Sequence, residues 1–143
     1  MSKTRAGSST TAWFRMARTV ERIYRGMGAV FRAHGLTAPQ FDVLATLTRR
    51  GDVSQQTLAS QLLVSKGNVS FVVTRMETAG LIDRKSDAAD PRANQLSLTP
   101  RGRALYERIM PEHDAVLATH FGRLNATQLE TLVSIIRVLD VAD

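Results

Sequence analysis

Apolar residues recur along most of this chain at steps of three and four, the period of a helix with one covered face. Over residues 11–34 the stripe is Trp13, Met16, Ala17, Val20, Ile23, Tyr24, Met27, Val30 and Phe31. A second stripe on the same stretch is basic, with Arg15, Arg18, Arg22 and Arg25 three and four apart. Gly35 ends this helix. Thr37 caps the next, Pro39 falls in its first turn, and Phe41, Leu44, Ala45 and Leu47 face inward. Ser54 caps a short helix whose core side is Leu58, Ala59 and Leu62. After a break at Leu63 and Val64, Ser65 caps a further helix that stops at Gly80.

The period then changes from helical to alternating. Residues 81–85 and 95–98 alternate apolar and polar around a turn-rich tip, which predicts a β-hairpin with a long charged loop. Thr99 and Pro100 form an N-cap and first-turn proline, opening a long helix to about Phe121 that Pro111 kinks or interrupts. Asn125 and Gln128 have capping-box spacing. They precede a last stripe of Leu129, Leu132, Val133, Ile136 and Leu139. The pattern gives a mainly α fold with a small β-hairpin, in which a short helix, a turn and a second helix make a helix-turn-helix. Residues 1–10 are expected as a disordered arm and residues 11–143 as one domain. The outer stripes of residues 11–36 and 100–143 look too wide for residues 37–99 to cover. A second copy would cover them, as in helical dimers, unless they pack within one chain.

Composition narrows the class. The 143 residues suffice for one core, and 43% hydrophobic content is ordinary for a globular domain. No apolar run approaches the roughly 18 residues of a membrane span. Residues 1–10 lack the apolar stretch of a secretory signal, so a cytoplasmic protein without membrane partners is expected. With no cysteine, disulfides, thiolate metal sites and thiol redox sensing are excluded. The net charge of +6 favours polyanions, and its meaning depends on where the charges lie.

They lie where a helix-turn-helix would use them. Val69, Val72, Val73, Met76 and Gly80 share one side of the second helix. Gly67, Ser70, Phe71, Thr74, Arg75 and Thr78 share the other, flanked by Lys66 and Asn68. In this motif the second helix enters the major groove with its N-terminal residues toward the bases. Gly67 allows close backbone approach. Asn68 suits adenine, and Lys66 and Arg75 suit guanine or phosphate. Phe71 stands amid polar neighbours: it either meets a thymine methyl or leans into the core or hairpin. Arg84, Lys85 and Arg92 concentrate charge on the hairpin, and Asp90 two residues before Arg92 can orient it for a narrow minor groove.

Those residues carry a resemblance. "TLASQLLVSKGNVS", "RMETAGLI.R", "D.R.NQLSLT" and "T.RG", spread over residues 53–105, resemble the winged helix-turn-helix core of the MarR family of transcription regulators. The flanking helices match more loosely. The resemblance implies a homodimer on pseudo-palindromic duplex DNA, commonly a repressor released by a small phenolic or anionic ligand. It also implies DNA contact by Ser65, Lys66, Asn68, Ser70 and Arg75, a wing pair of Asp90 and Arg92, and phosphate contact by Ser54, Gln55 and Gln56. The terminal helices would form the dimer.

Family members usually hold their ligand between the dimer helices and the DNA-binding lobe. Trp13, Arg15, Arg18, Tyr24 and Phe41 are candidates for an aromatic, cationic pocket of that kind. The alternative is that Trp13 and Phe41 are core and the arginines solvated. An enzyme is not expected, because the chain has no HExxH, no glycine-rich phosphate loop and no nucleophile elbow. His113 and His120 share a helix face but lack converging ligands, so neither metal nor cofactor is expected. The competing function is a winged-helix module used for protein contacts.

Overall fold

The structure, a computed structural model, describes residues 3–62, 68–86, 89 and 94–140. Its elements run α1 (Lys3–Ala33), α2 (Ala38–Arg50), β1 (Val53–Ser54), α3 (Gln55–Gln61), α4 (Val69–Thr78), β2 (Ile82–Lys85), β3 (Gln95–Leu98), α5 (Pro100–Phe121) and α6 (Ala126–Leu139). None of the described helices is long and apolar enough to cross a membrane. The chain divides into two compact units, residues 27–111 and residues 1–26 with 112–143.

Several ends form where the sequence places them. Leu36 N–H reaches Phe31 C=O at 2.9 Å and Gly35 N–H reaches Arg32 C=O at 3.0 Å, closing α1 with a Schellman turn. Thr37 caps α2 through Gln40 N–H, and the Gln40 side chain returns the bond to Thr37 N–H at 2.9 Å. Asn125 and Gln128 form the same reciprocal box on α6. Ser54 Oγ accepts from Thr57 N–H at 3.0 Å at the start of α3.

Four expectations change. The arm expected over residues 1–10 is helical from Lys3, because extending an existing helix adds one hydrogen bond per residue without a new nucleation cost. Pro111 does not interrupt α5, which runs as one helix from Pro100 to Phe121. The hairpin gains a third strand: β1 pairs antiparallel with β3 (Val53 opposite Leu96, Ser54 opposite Gln95), giving the order β1-β3-β2. Finally, α4 starts at Val69, with Asn68 at its N-cap in the left-handed region at φ 71°. That helix is shorter than the one expected from a cap at Ser65, which lies outside the described residues.

The core of residues 27–111 is built from Leu44, Leu58, Val73, Met76, Ile82, Leu96 and Ile109, all essentially inaccessible. Phe31, Phe41 and Tyr106 stack in sequence, with centroids 4.3 and 5.8 Å apart, so Phe41 is a core residue. In the other unit the outer stripes are bare. Trp13 is 64% exposed, Val20, Tyr24, Leu129, Val133, Ile136 and Leu139 are exposed too, and no residue of α6 is buried.

One junction ties α4, the sheet and α5 together. Helix α4 ends in a second Schellman turn, with Leu81 N–H on Met76 C=O (3.0 Å), Gly80 N–H on Glu77 C=O (2.9 Å) and Gly80 at φ 72°. Thr99 Oγ1 donates to Gly80 C=O at 2.6 Å and accepts from Gly102 N–H at 3.0 Å. Thr99 N–H bonds Leu81 C=O at 3.2 Å. A Cβ on Gly102 would lie 2.1 Å from that carbonyl oxygen, so only glycine lets α5 approach. Gly102→Ala is therefore expected to lower unfolding stability by about 1–3 kcal/mol, the range for overpacking a filled interior, as measured by urea denaturation.

Candidate nucleic-acid interface

Three elements meet at one polar groove. The starts of α3 and α4 come together with the sheet around a groove of about 680 Å³ lined by Gln55, Gln56, Ala59, Asn68, Val69, Ser70, Arg84 and Asn94. Five of these, Gln55, Gln56, Asn68, Ser70 and Arg84, were expected DNA contacts. Ser54 stands beside them as the cap of α3.

Hydrogen bonds fix the floor. Gln55 Nε2 donates to Ser70 Oγ at 2.9 Å, holding the start of α3 to the first turn of α4. Gln55 N–H bonds Asn94 C=O at 3.1 Å, which fastens α3 to the entrance of β3. Asn94 was not foreseen: its place here follows from the β1–β3 pairing, and a two-residue strand leaves no periodic signal. Asn68 makes no side-chain capping bond to α4, although asparagine is the residue type that best tolerates its backbone conformation after glycine.

The outward face of α4 carries Ser70, Phe71, Thr74 and Arg75, all exposed, while Val69, Val73 and Met76 are buried beneath. Phe71 is 54% exposed, which removes the alternative that it packs into the core. Instead the Arg75 guanidinium lies over its ring, 5.5 Å from the centroid. Thr78 Oγ1 turns back to Thr74 C=O at 3.0 Å.

Arg84 differs from the other expected cations. Its Nε lies 3.3 Å from Glu77 Oε2, pairing β2 with α4, and its side chain is three-quarters covered. That Nε is buried and poorly aligned for a hydrogen bond, so the contact is chiefly Coulombic. Arg84 is thus a strut as well as a wall of the groove. Lys85 is exposed. Ser65, Lys66, Gly67, Asp90 and Arg92 lie outside the described residues.

The residues considered for an effector are placed as follows. Arg15 and Arg18 line a small cavity of about 340 Å³ with Thr19 and Arg22. Arg25 is engaged by Glu21 at 2.7 Å. Trp13 and Tyr24 are exposed and do not line that cavity, and Phe41 belongs to the buried stack. His113 Nδ1 lies 3.2 Å from Asp114 Oδ1. Among the described residues there is no group of three or more side chains able to hold a metal.

A polar groove at two helix starts, a short sheet behind it and a helix with small, amide and cationic side chains outward make a winged helix-turn-helix surface. Comparison with known proteins agrees. A MarR family model matches residues 34–93. The transcriptional regulator HosA of Escherichia coli O157:H7 is 31% identical over 102 residues, 71% of this chain and 76% of HosA. The transcriptional regulator MhqR of Bacillus subtilis is 26% identical over 122 residues, 85% of this chain and 84% of MhqR. Among solved structures, Bordetella bronchiseptica BpsR, whose DNA binding is regulated by 6-hydroxynicotinic acid, superposes with a TM-score of 0.73 at 28% identity, covering 89% of this chain and 99% of BpsR. The chain therefore belongs to the MarR family of winged helix-turn-helix, DNA-binding transcriptional regulators.

Proposed function

We propose that the protein is a homodimeric repressor of pseudo-palindromic duplex DNA that releases its operator when a small aromatic or anionic effector binds. One observation carries the dimer, and with it the palindrome: α6 buries none of its residues, and its stripe and that of the first part of α1 are open. Trp13, Met16, Val20, Tyr24, Leu129, Val133, Ile136 and Leu139 are too much apolar surface for a lone soluble chain to leave wet. A second copy related by a two-fold axis covers each set with its equivalent. Two α4 helices then read half-sites one DNA turn apart, roughly 34–36 Å. Asp90 and Arg92 serve the flanking minor groove, Arg92 as donor and Asp90 as its guide.

Regulation by an effector is supported by BpsR, the relative governed by a small aromatic acid. The arginines Arg15, Arg18 and Arg22 around one cavity suit a carboxylate or phenolate. An effector acts by preferring one dimer geometry over another, which shifts the population away from the DNA-competent spacing.

The experiment is selection of bound duplexes from random DNA. The expected product is a motif with dyad symmetry and half-sites one turn apart, bound more weakly as salt rises; asymmetric recovery, or none, contradicts the proposal. Replacing Val133 and Ile136 together by Glu is expected to give a monomer by light scattering. Operator affinity should fall by about a hundredfold or more, because the second half-site no longer contributes. Arg92→Ala is expected to weaken operator binding by about 1–3 kcal/mol at fixed salt, as measured by fluorescence anisotropy.

A further inference from the structure

A single exposed aromatic on a protein surface needs no explanation of its own. Phe71 is set apart by its position. It is the third residue of α4, in the first turn, the end of a recognition helix that approaches base edges. Its neighbours on the outward face are Ser70, Thr74 and Arg75, so the ring is the one large apolar group among polar ones there. More than half of it is open, and the Arg75 guanidinium lies over the ring.

Arg75 completes the arrangement. Residues four apart on a helix stand about 5–6 Å from each other, and here the Arg75 guanidinium is held over the Phe71 ring at 5.5 Å. A stacked guanidinium keeps its charge and its planar donor fork, while the ring restricts the directions in which the fork can point. Among the described residues no carboxylate pairs with Arg75, whereas Arg84 is drawn to Glu77. The major groove offers a complement to each half of the pair. The thymine C5-methyl is the apolar group there, and guanine O6 and N7 are the acceptors that match an arginine fork.

We propose that Phe71 and Arg75 act as one reader of a thymine and a neighbouring guanine in each half-site, with the Phe71 ring against the thymine methyl and the Arg75 fork on guanine. This rests on the DNA reading above and adds to it which bases are read. The ring both supplies the apolar contact and aims the arginine, so losing it affects two adjacent positions. Gln55 supports the pair indirectly, since its bond to Ser70 Oγ holds the first turn of α4 in place.

The test uses the full-length protein and the duplex motif it selects from random DNA. Each thymine of a half-site is replaced singly by deoxyuridine, which removes only the methyl, and each guanine by 7-deazaguanine, which removes only N7. The expected result is one deoxyuridine position that weakens wild-type binding by about fourfold, the loss of one methyl contact. The neighbouring 7-deazaguanine should weaken binding as well. In Phe71→Ala the deoxyuridine effect vanishes, and renewed selection with this variant gives degenerate bases at both positions. In Arg75→Ala the 7-deazaguanine effect vanishes and the deoxyuridine effect persists. Both side chains are exposed, so the variants are expected to keep the wild-type circular dichroism spectrum. A selected motif with no methyl-dependent position, or one whose methyl dependence survives in Phe71→Ala, overturns this assignment and leaves DNA recognition standing. Failure to select any motif overturns DNA recognition itself.

Discussion

The direction of α4 depends on a contact at its far end. The Leu81 carbonyl is approached by the backbone of Gly102 more closely than any side-chain carbon would permit, and Thr99 bonds Gly80 and Gly102 at once. Through this junction the end of α4, the start of β2 and the first turn of α5 become one rigid corner. Toward the opposite end of α4, Gln55 bonds Ser70, Asn68 stands in the left-handed region and Val69 is buried. The first turn of the helix is thereby tied to α3, and its last turn to the sheet and α5.

Much of this was legible in the residues because caps and turns are local chemistry. Gly35, Thr37, Ser54, Thr99 and the Asn125–Gln128 pair act within a few residues, and the structure places them at element ends or at the junction. The strands of the hairpin were visible as alternation. What depends on distant partners was not. Strand β1 exists only because β3 lies beside it, and Asn94 enters the groove for the same reason. The start of α4 was misplaced because an asparagine in the left-handed region is a poorer signal than a serine three residues earlier.

A periodic apolar stripe also says that something covers a helix, not what. Phe31 and Trp13 belong to one stripe on α1, yet Phe31 is buried on Phe41 and Trp13 is bare. The same ambiguity applied to Phe71, which polarity placed outside and residue type placed inside. Charge had a similar limit: the sequence marks Arg75 and Arg84 as cations near the helix-turn-helix without their partners, whereas Arg84 is tied to Glu77 and Arg75 lies on an aromatic ring.

Helix α6 carries a further implication. Fourteen residues with nothing buried form a segment too short to hold helical order in water by its own propensity. In the proposed dimer that order would be lent by the partner copy, and the segment would serve as a gauge of association. At low copy number it would fray and open to proteases, so that the supply of paired protein would rise more steeply than the number of chains made.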